Sequence, residues 1–287
     1  MFKKISGLQR QILASLCCYI GQMVIGLTIA WTGPIIPKLQ DPMETPLSVQ
    51  LSDTQLSLVA SIFYIGAMPG PYIMGWLSNV KGRKPCIIIG GVVLTTSYLI
   101  LAISNNLAMI YCGRLLIGLG MGSVGVMNLV YIGEIASTNI RGILLTILGI
   151  FHTVGSILVY ASGLFLSYVG VTSVGFVLAF IFTIFALFLP ESPMFYVLKG
   201  LGIIPSTLIG EMFKTNVRSK GSAVAITCSW VFGFLVTTAF GSLIDIVGAY
   251  VLFWFFSCSS ALAFIFTQIY IPETKGKSLL EIQTFKK

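Results

Sequence analysis

Long stretches without charge constrain this chain more than any other feature of its sequence. A helix that crosses the hydrocarbon of a bilayer needs about 20 consecutive apolar residues. The stretch 142–190 is long enough for two crossings, and a polar break near its middle contains Ser167 and Gly170. The sequence therefore predicts about eight transmembrane helices. Seven stretches of at least 19 residues lack Asp, Glu, Lys and Arg: 11–37, 54–80, 85–113, 115–133, 142–190, 221–244 and 246–272.

The scarcity of charge also decides the fold class. Charged residues make up only 9% of the chain, whereas a soluble domain usually carries about 25%. A water-soluble fold is therefore excluded. We predict an all-α, polytopic protein that is embedded in the lipid bilayer.

The basic residues indicate how the spans are oriented, because lysine and arginine are enriched in cytoplasmic loops. They precede the first span, follow the second and fourth, and recur in the segment 199–220 and in the tail. The opposite side has only Lys38 and, between the predicted third and fourth spans, Arg114. We therefore expect a multi-pass protein of the plasma membrane with both termini in the cytoplasm. The net charge of +8 is spread over these loops, which argues against nucleic-acid binding.

An internal repeat indicates a transporter. The segment from Glu134 to Arg141 reads EIASTNIR, and the segment from Glu211 to Arg218 reads EMFKTNVR, so Glu, Thr, Asn and Arg recur at one spacing. Each copy is followed, two spans later, by a Pro-Glu pair, within LPES and IPET. Repeats at matching topological positions are typical of secondary transporters, in which two similar halves enclose a central cavity.

The two predicted halves are unequal. Four spans precede the first Glu/Arg segment, but only about twenty residues separate the sixth span from the second Glu/Arg segment. We predict a complete six-helix bundle over residues 1–198 and a cytoplasmic segment over 199–220. The last two spans and the tail occupy 221–287, so the second bundle is expected to be truncated.

The turn between spans two and three is the first candidate for a gate. It contains Gly75, Gly82, Arg83 and Lys84, and composition alone favours a positive-inside anchor. The alternative is that Arg83 pairs with Glu134, or with another carboxylate at a span end, in one conformation and releases it in the other.

The two Glu/Arg pairs are the second candidate for a gate. A single carboxylate at a span end is usually solvated, but the recurrence of Glu134 with Arg141, and of Glu211 with Arg218, favours a switching role. If the helix continues through each segment, the two members of a pair lie two turns apart on one face.

Acidic residues are almost absent from the spans, and the first span has none. Proton relays in transporters need an ionisable group at membrane depth, so passive transport is favoured over proton coupling. No cofactor, metal site or catalytic cluster is indicated, and we do not expect an enzyme. Several polar and aromatic side chains are of the kind that bind a neutral polyhydroxy solute, although most such residues bond between helices. They are Gln22, Thr28, Trp31, Asn128, His152, Ser229 and Trp230, of which His152 is assigned no role.

Taken together, the motifs resemble those of the sugar porter family of the major facilitator superfamily, most of all the insect facilitated trehalose transporters. The resemblance implies a twelve-helix fold of two bundles that moves hexoses or disaccharides down their gradient. The motifs that carry it are Trp31-Thr32-Gly33-Pro34, the Gly75 to Lys84 turn, Gly113-Arg114, Tyr131 to Glu134 with Arg141-Gly142, Pro190-Glu191-Ser192-Pro193 and Pro272 to Gly276.

The same resemblance identifies candidate substrate contacts and departures from the family pattern. Trp230 matches a position that lines the family's sugar cavity, and we add Gln22 as a second candidate. Asn79 stands where the turn motif has Asp, Leu129 where the fourth span has Pro, and Gly149 where hexose transporters place a sugar-binding Gln. The seventh to ninth helices and most of the tenth are missing from the pattern. Two hypotheses remain open: facilitative transport of a small neutral sugar, or a shortened, non-transporting chain that associates with full-length transporters.

Overall fold

All regular secondary structure in the described part of this computed structural model is helical. The structure describes residues 7–47, 50–192, 227–228, 230–232, 234–235, 238 and 249–270. The chain forms two compact units, Met1–Thr238 and Ala239–Lys287, and the last helix belongs to the second unit. The helices with defined bounds in these ranges are α1 (Gly7–Ala30), α2 (Thr32–Gln40), α3 (Asp53–Ala67), α4 (Gly70–Lys81), α5 (Arg83–Ala102), α6 (Leu107–Ile135), α7 (Thr138–Phe165), α8 (Tyr168–Leu187) and α9 (Ala249–Tyr270).

Six helical segments among the described residues are long and apolar enough to cross a membrane. They are Gln11–Gln40, Asp53–Lys81, Arg83–Ala102, Leu107–Ile135, Asn139–Phe165 and Tyr168–Leu187. These segments confirm the first six predicted spans. The predicted seventh span, 221–244, lies mostly outside the described residues, and α9 lies within the predicted eighth, 246–272.

Polar side chains mark where several helices begin. Ser52 and Gln55 form a capping box at the start of α3, in which each side chain bonds the backbone N–H of the other residue. The Asn106 carboxamide accepts the N–H of Met109 at 2.9 Å and caps α6. Ser167 caps α8 through the N–H of Gly170, which confirms the predicted break within 142–190.

The boundary predicted between the third and fourth spans is wrong. We expected Arg114 to end the charge-free stretch 85–113 at a loop, but α5 already ends at Ala102 and α6 begins at Leu107. Arg114 therefore lies inside α6, where its side chain is fully buried. Counting charges misplaced the loop because a guanidinium with partners on other helices is tolerated inside a bundle.

At two helix crossings, glycines of one helix pack directly on backbone carbonyls of the other. A Cβ atom on Gly26 of α1 would collide with the backbone carbonyl of His152, and one on Gly155 of α7 would collide with that of Met23. Small residues at such positions let membrane helices approach closely. Gly118 and Gly122 of α6 meet the carbonyls of Phe63 and Ala67 on α3 in the same way.

Candidate gate and substrate site

The turn between α4 and α5 is shaped by Gly82. Its φ of +100° is in a region that L side chains rarely adopt, so glycine is required there. The turn starts α5 at Arg83 and directs the next residues toward the ends of α6 and α8.

Arg83 is a buried member of an ion pair and only 6% exposed. Its Nη2 atom lies 2.7 Å from Glu134 Oε1, at the end of α6. Its Nε atom lies 3.1 and 3.0 Å from the two oxygens of the same carboxylate, and Nη1 donates to the carbonyl of Ser78 at 2.9 Å. Arg83 and Glu134 are the two residues that the gate hypothesis pairs. Their contact has the bidentate geometry that makes arginine–carboxylate pairs strong.

The residues after α8 complete this group. The Glu191 carboxylate accepts the backbone N–H of Arg83 at 2.7 Å and that of Lys84 at 3.2 Å. It therefore sits on the N-terminus of α5, where unpaired N–H groups and the helix dipole favour negative charge. The Ser192 hydroxyl donates to Glu134 Oε2. We refer to Arg83, Glu134, Glu191 and Ser192 as the clamp.

Sequence reasoning did not assign Glu191 and Ser192 to the gate. Both belong to the Pro-Glu-Ser segment that the repeat and the family resemblance had highlighted. The sequence did not indicate which residues this segment contacts. The partner is 108 residues away in sequence. Tyr131 of α6 fixes the same segment, because its hydroxyl donates to the carbonyl of Pro190 at 2.8 Å.

The other predicted gate residues lie around the clamp or outside the described residues. Arg141 is not on one continuous helix with Glu134, because α6 ends at Ile135 and α7 begins at Thr138. The expected two-turn spacing is therefore wrong, and Arg141 instead donates to the carbonyl of Ala136 at 3.2 Å. The remaining positions are Gly75 on α4, Lys84 in the first turn of α5, and Glu211 and Arg218 outside the described residues.

Arg114 forms a second charged feature, deep in the bundle. Its guanidinium carbon lies 5.0 Å from the ring centroid of Trp31 and 4.5 Å from that of Phe63. Its Nε donates to the carbonyl of Val59 at 3.0 Å and its Nη1 to that of Thr28 at 3.4 Å. Aromatic faces and backbone carbonyls thus stabilise this cation. No acidic residue occurs between residues 54 and 133 of the sequence.

We expect Arg114→Lys to destabilise the protein by about 2 kcal/mol, because an ammonium does not reproduce the planar fork between two rings and two carbonyls. The apparent melting temperature of the purified protein in detergent measures this loss. Arg141→Lys is the matched control, because that side chain makes its described hydrogen bond at a loop. Equal melting temperatures for the two variants would contradict the stabilising role of this cage.

Three of the polar candidates within the spans bond between or within helices, which is the role that the sequence analysis expected for most of them. The Trp31 indole donates to Thr172 Oγ1 at 3.3 Å, the Thr28 and Tyr98 hydroxyls lie 2.8 Å apart, and Asn128 donates to the carbonyl of Cys18 at 3.1 Å. These bonds hold the bundle together and occupy the Trp31 indole and the Thr28 hydroxyl, whereas the Asn128 Oδ1 atom is buried without a hydrogen-bond partner among the described residues. Ser229 lies outside the described residues.

Both candidate substrate contacts also retain an unused polar atom. Gln22 Oε1 and Trp230 Nε1 are buried and have no hydrogen-bond partner within the described part of the chain. The Trp230 ring packs 6.1 Å from that of Tyr64 on α3. A buried polar atom without a partner costs about 1–3 kcal/mol, so a bound solute or water that completes these bonds would be stabilised.

Comparison with known proteins places these features in context. A family model described as "Sugar (and other) transporter" matches residues 14–201 and 198–285. The facilitated trehalose transporter Tret1 of Aedes aegypti is 30% identical over 190 residues, which are 66% of this chain and 23% of that protein. Its counterpart in Polypedilum vanderplanki is 28% identical over 66% of this chain and 37% of its own length. The matched region thus spans well under half of these relatives.

Solved transporter structures share the fold. The inward-open xylose transporter XylE from E. coli superposes with a TM-score of 0.71 at 17% identity, over 94% of this chain and 98% of that one. The proton:xylose symporter XylE of the major facilitator superfamily, bound to 6-bromo-6-deoxy-D-glucose, gives a TM-score of 0.59 at 20% identity, over 86% and 58% of the two chains. At these identities the likeness concerns the fold alone.

Proposed function

This chain belongs to the sugar (and other) transporter family, and we propose that it carries a small neutral sugar across the membrane by facilitative transport. The family match, which extends over both halves of the chain, is the observation that carries this proposal. The relatives named as facilitated trehalose transporters make trehalose the first substrate to test, with hexoses second. Membership of a transporter family also agrees with the prediction that the chain is not an enzyme.

The distribution of charge supports a uniport mechanism. Coupling to protons needs a group at membrane depth that gains and loses a proton during the cycle. The chain has nine acidic residues, and none lies in the stretches 11–40, 54–133 or 135–190. Arg114 forms no ion pair with a carboxylate among the described residues, so this buried cation lacks the partner with which it would exchange a proton.

The clamp supports a gating role at one end of the bundle. It joins the start of α5 to the end of α6 and to the residues after α8 through groups that are buried or partly buried. In alternating access such a contact holds one conformation and breaks in the other. We propose that this end faces the cytoplasm, as the basic loops indicate, and that Glu211 and Arg218 form the corresponding group of the second half.

A second candidate function follows from the length of the match. The matched region covers 23% and 37% of the two curated relatives. A chain with one full bundle and part of another offers helix faces on which a longer transporter packs in the bilayer. On this alternative the chain is a non-transporting membrane partner of a full-length relative.

Uptake of radiolabelled trehalose and glucose into liposomes that contain only the purified chain tests the proposal. Saturable exchange above protein-free liposomes is expected for a transporter, and a full-length trehalose transporter is the positive control. Background uptake, together with co-purification of the chain with that full-length transporter, would favour the second candidate.

We expect the initial rate of sugar uptake to be independent of an imposed pH gradient, because the two carboxylates of the six described spans, Asp53 and Glu134, lie at span ends and not at membrane depth. Liposomes loaded and diluted at different pH values, with and without a protonophore, measure this. The reconstituted D-xylose–proton symporter serves as the coupled control. Accumulation of sugar above equilibrium under an inward proton gradient would contradict uniport.

A further inference from the structure

A groove runs between α7 and α8. It has a volume of about 330 Å³ and lies within two segments that are long and apolar enough to span a membrane, Asn139–Phe165 and Tyr168–Leu187. Two small residues and four aliphatic side chains form its wall. None of these side chains carries a charge, so the groove suits an apolar occupant. The lining residues are Leu158 of α7 and Gly170, Ser173, Val174, Val177 and Leu178 of α8.

The groove exists because α7 and α8 make their close contacts with other helices along this stretch. A Cβ atom on Gly155 of α7 would collide with the backbone carbonyl of Met23 on α1. One on Gly175 of α8 would collide with the ring of Tyr98 on α5. The lining residues of α8 lie beside this buried face and are only partly buried or exposed. The two neighbouring helices therefore leave a wedge of space between them.

The groove has the depth of one leaflet of a bilayer. Ser167 lies in the polar break between the two spans, at the membrane surface, and the lining residues of α8 extend from Gly170 to Leu178. With a rise of 1.5 Å per residue, they cover a depth from about 5 Å to about 16 Å below Ser167. One half of the hydrocarbon core is about 15 Å thick. A single lipid of the leaflet opposite the clamp thus matches the groove in length.

The lack of charge around the groove distinguishes among the lipids of that leaflet. No Asp, Glu, Lys or Arg occurs between residues 142 and 190 of the sequence. Proteins recognise phosphate-bearing head groups mainly with clusters of lysine and arginine. A sterol has one hydroxyl as its only polar group and needs no charged partner. The charge distribution therefore favours a sterol over a phospholipid.

The shape of the wall favours a rigid occupant. Val174 and Val177 are branched at Cβ, and such side chains strongly prefer one rotamer in a helix. Gly170 and Ser173 are three residues apart, so their small side chains leave space on one side of α8. A fused ring system fills such space without losing conformational freedom, whereas a flexible acyl chain has to be ordered.

Ser167 supplies a partner for a hydroxyl at the mouth of the groove. Its side chain is exposed, and its Oγ atom accepts the N–H of Gly170 at 3.4 Å. Its own O–H donates to no acceptor among the described residues. The last carbonyls of α7, which ends at Phe165, also lack helical donors. A sterol hydroxyl in this place accepts from Ser167 and donates to a carbonyl.

We propose that the groove between α7 and α8 binds a membrane sterol. The rings lie over Gly170 and Ser173, between the valines of α8 and Leu158 of α7, and the hydroxyl lies at Ser167. The site is separate from the clamp and from the candidate substrate contacts. Sterol binding is therefore expected whether or not the chain transports sugar.

Photolabelling of the purified full chain in phosphatidylcholine nanodiscs tests the proposal. A photoactivatable cholesterol analogue is expected to label peptides that contain residues 158–178, and unlabelled cholesterol is expected to compete along a saturable curve. Photoactivatable phosphatidylcholine is the control probe. Epicholesterol, whose hydroxyl has the opposite configuration, is expected to compete more weakly because its hydroxyl is directed away from Ser167.

A substitution that fills the groove provides the second test. We expect Ser173→Leu to weaken competition by cholesterol about tenfold, because the larger side chain occupies the space of the rings. Thr96→Leu is the matched control and is expected to leave competition unchanged. Thr96 is exposed on α5, six residues before its end at Ala102, just as Ser173 lies six residues after Ser167.

Three results would overturn the proposal. One is equal labelling of the groove by the phosphatidylcholine probe without competition by cholesterol, which would mean that an acyl chain occupies it. The second is equal competition by cholesterol in the wild type and in Ser173→Leu, and the third is equal competition by cholesterol and epicholesterol. If Ser173→Leu does not fold, the position of the label and the competition in the unmodified chain decide the question.

Discussion

Gly118→Ala and Gly155→Ala are expected to prevent accumulation of folded protein, whereas Gly133→Ala and Gly149→Ala on the same two helices leave it intact. A single methyl group on Gly118 would overlap the carbonyl of Phe63 on α3, and one on Gly155 would overlap that of Met23 on α1. Backbone carbonyls cannot move aside as flexible side chains do, so the helices must separate. We expect a loss of about 3 kcal/mol or more, the upper range for overpacking.

The control substitutions are expected not to lower the stability of the protein. A methyl group added at Gly133 or Gly149 would have no heavy atom within 4 Å, and alanine is a better helix former than glycine by about 1 kcal/mol. These two variants are therefore expected to be neutral or slightly stabilising. Fluorescence-detected size-exclusion chromatography after heating gives the apparent melting temperature of all four variants. The same melting temperature for Gly118→Ala and Gly133→Ala would show that the α3–α6 crossing is looser than the close carbonyl contacts require.

Breaking the clamp by Glu134→Gln is expected to have the second largest effect. The substitution keeps the shape of the side chain but leaves the Arg83 guanidinium buried beside a neutral amide. Removal of one partner from a buried ion pair costs about 3–5 kcal/mol, and we expect the lower end because the Glu134 side chain is 16% exposed. Arg83→Met with Glu134→Leu removes both charges, so this double variant is expected to be more stable than Glu134→Gln.

A double-mutant cycle on the free energy of unfolding measures the coupling between Arg83 and Glu134. Ser192→Ala, which removes one neutral donor to the same carboxylate, is the milder comparison at about 1 kcal/mol. Lys38 and Glu44 form an exposed pair at 2.7 Å, and Glu44→Gln is the control because surface pairs contribute little. If the effects of substituting Arg83 and Glu134 on the free energy of unfolding are additive, the Arg83–Glu134 ion pair does not stabilise this conformation.

The sequence was sufficient to predict the elements but not all of their ends. Charge-free stretches predicted the first six spans, and the polar break at Ser167 divided the longest stretch correctly. The same rule failed at Arg114, because it treats every cation as a residue of a loop. Only the rings of Trp31 and Phe63 and the carbonyl of Val59, which come from other helices, explain why a cation lies inside α6.

The candidate site was likewise predictable in part. The pairing of Arg83 with Glu134 was only the alternative to a positive-inside anchor, and it could be considered because both residues belong to recognisable motifs near predicted span ends. Glu191 and Ser192 were seen in the sequence but could not be assigned, since their partners lie far away along the chain. His152 was given no role, because its own span contains no carboxylate and a hydrogen bond between helices was expected instead; in the structure its Nδ1 atom has no partner among the described residues.

By itself, the sequence determined which segments are helices of a membrane bundle and to which family they belong. This is possible because a helix satisfies its own backbone hydrogen bonds in lipid, so apolar length is a local property. The tertiary structure decided which residues are functional partners: the glycines that meet a carbonyl, the cation that stays buried, and the carboxylate that caps α5. These roles depend on contacts between helices. Residues of the same type within one span therefore have different roles when they pack against different neighbours.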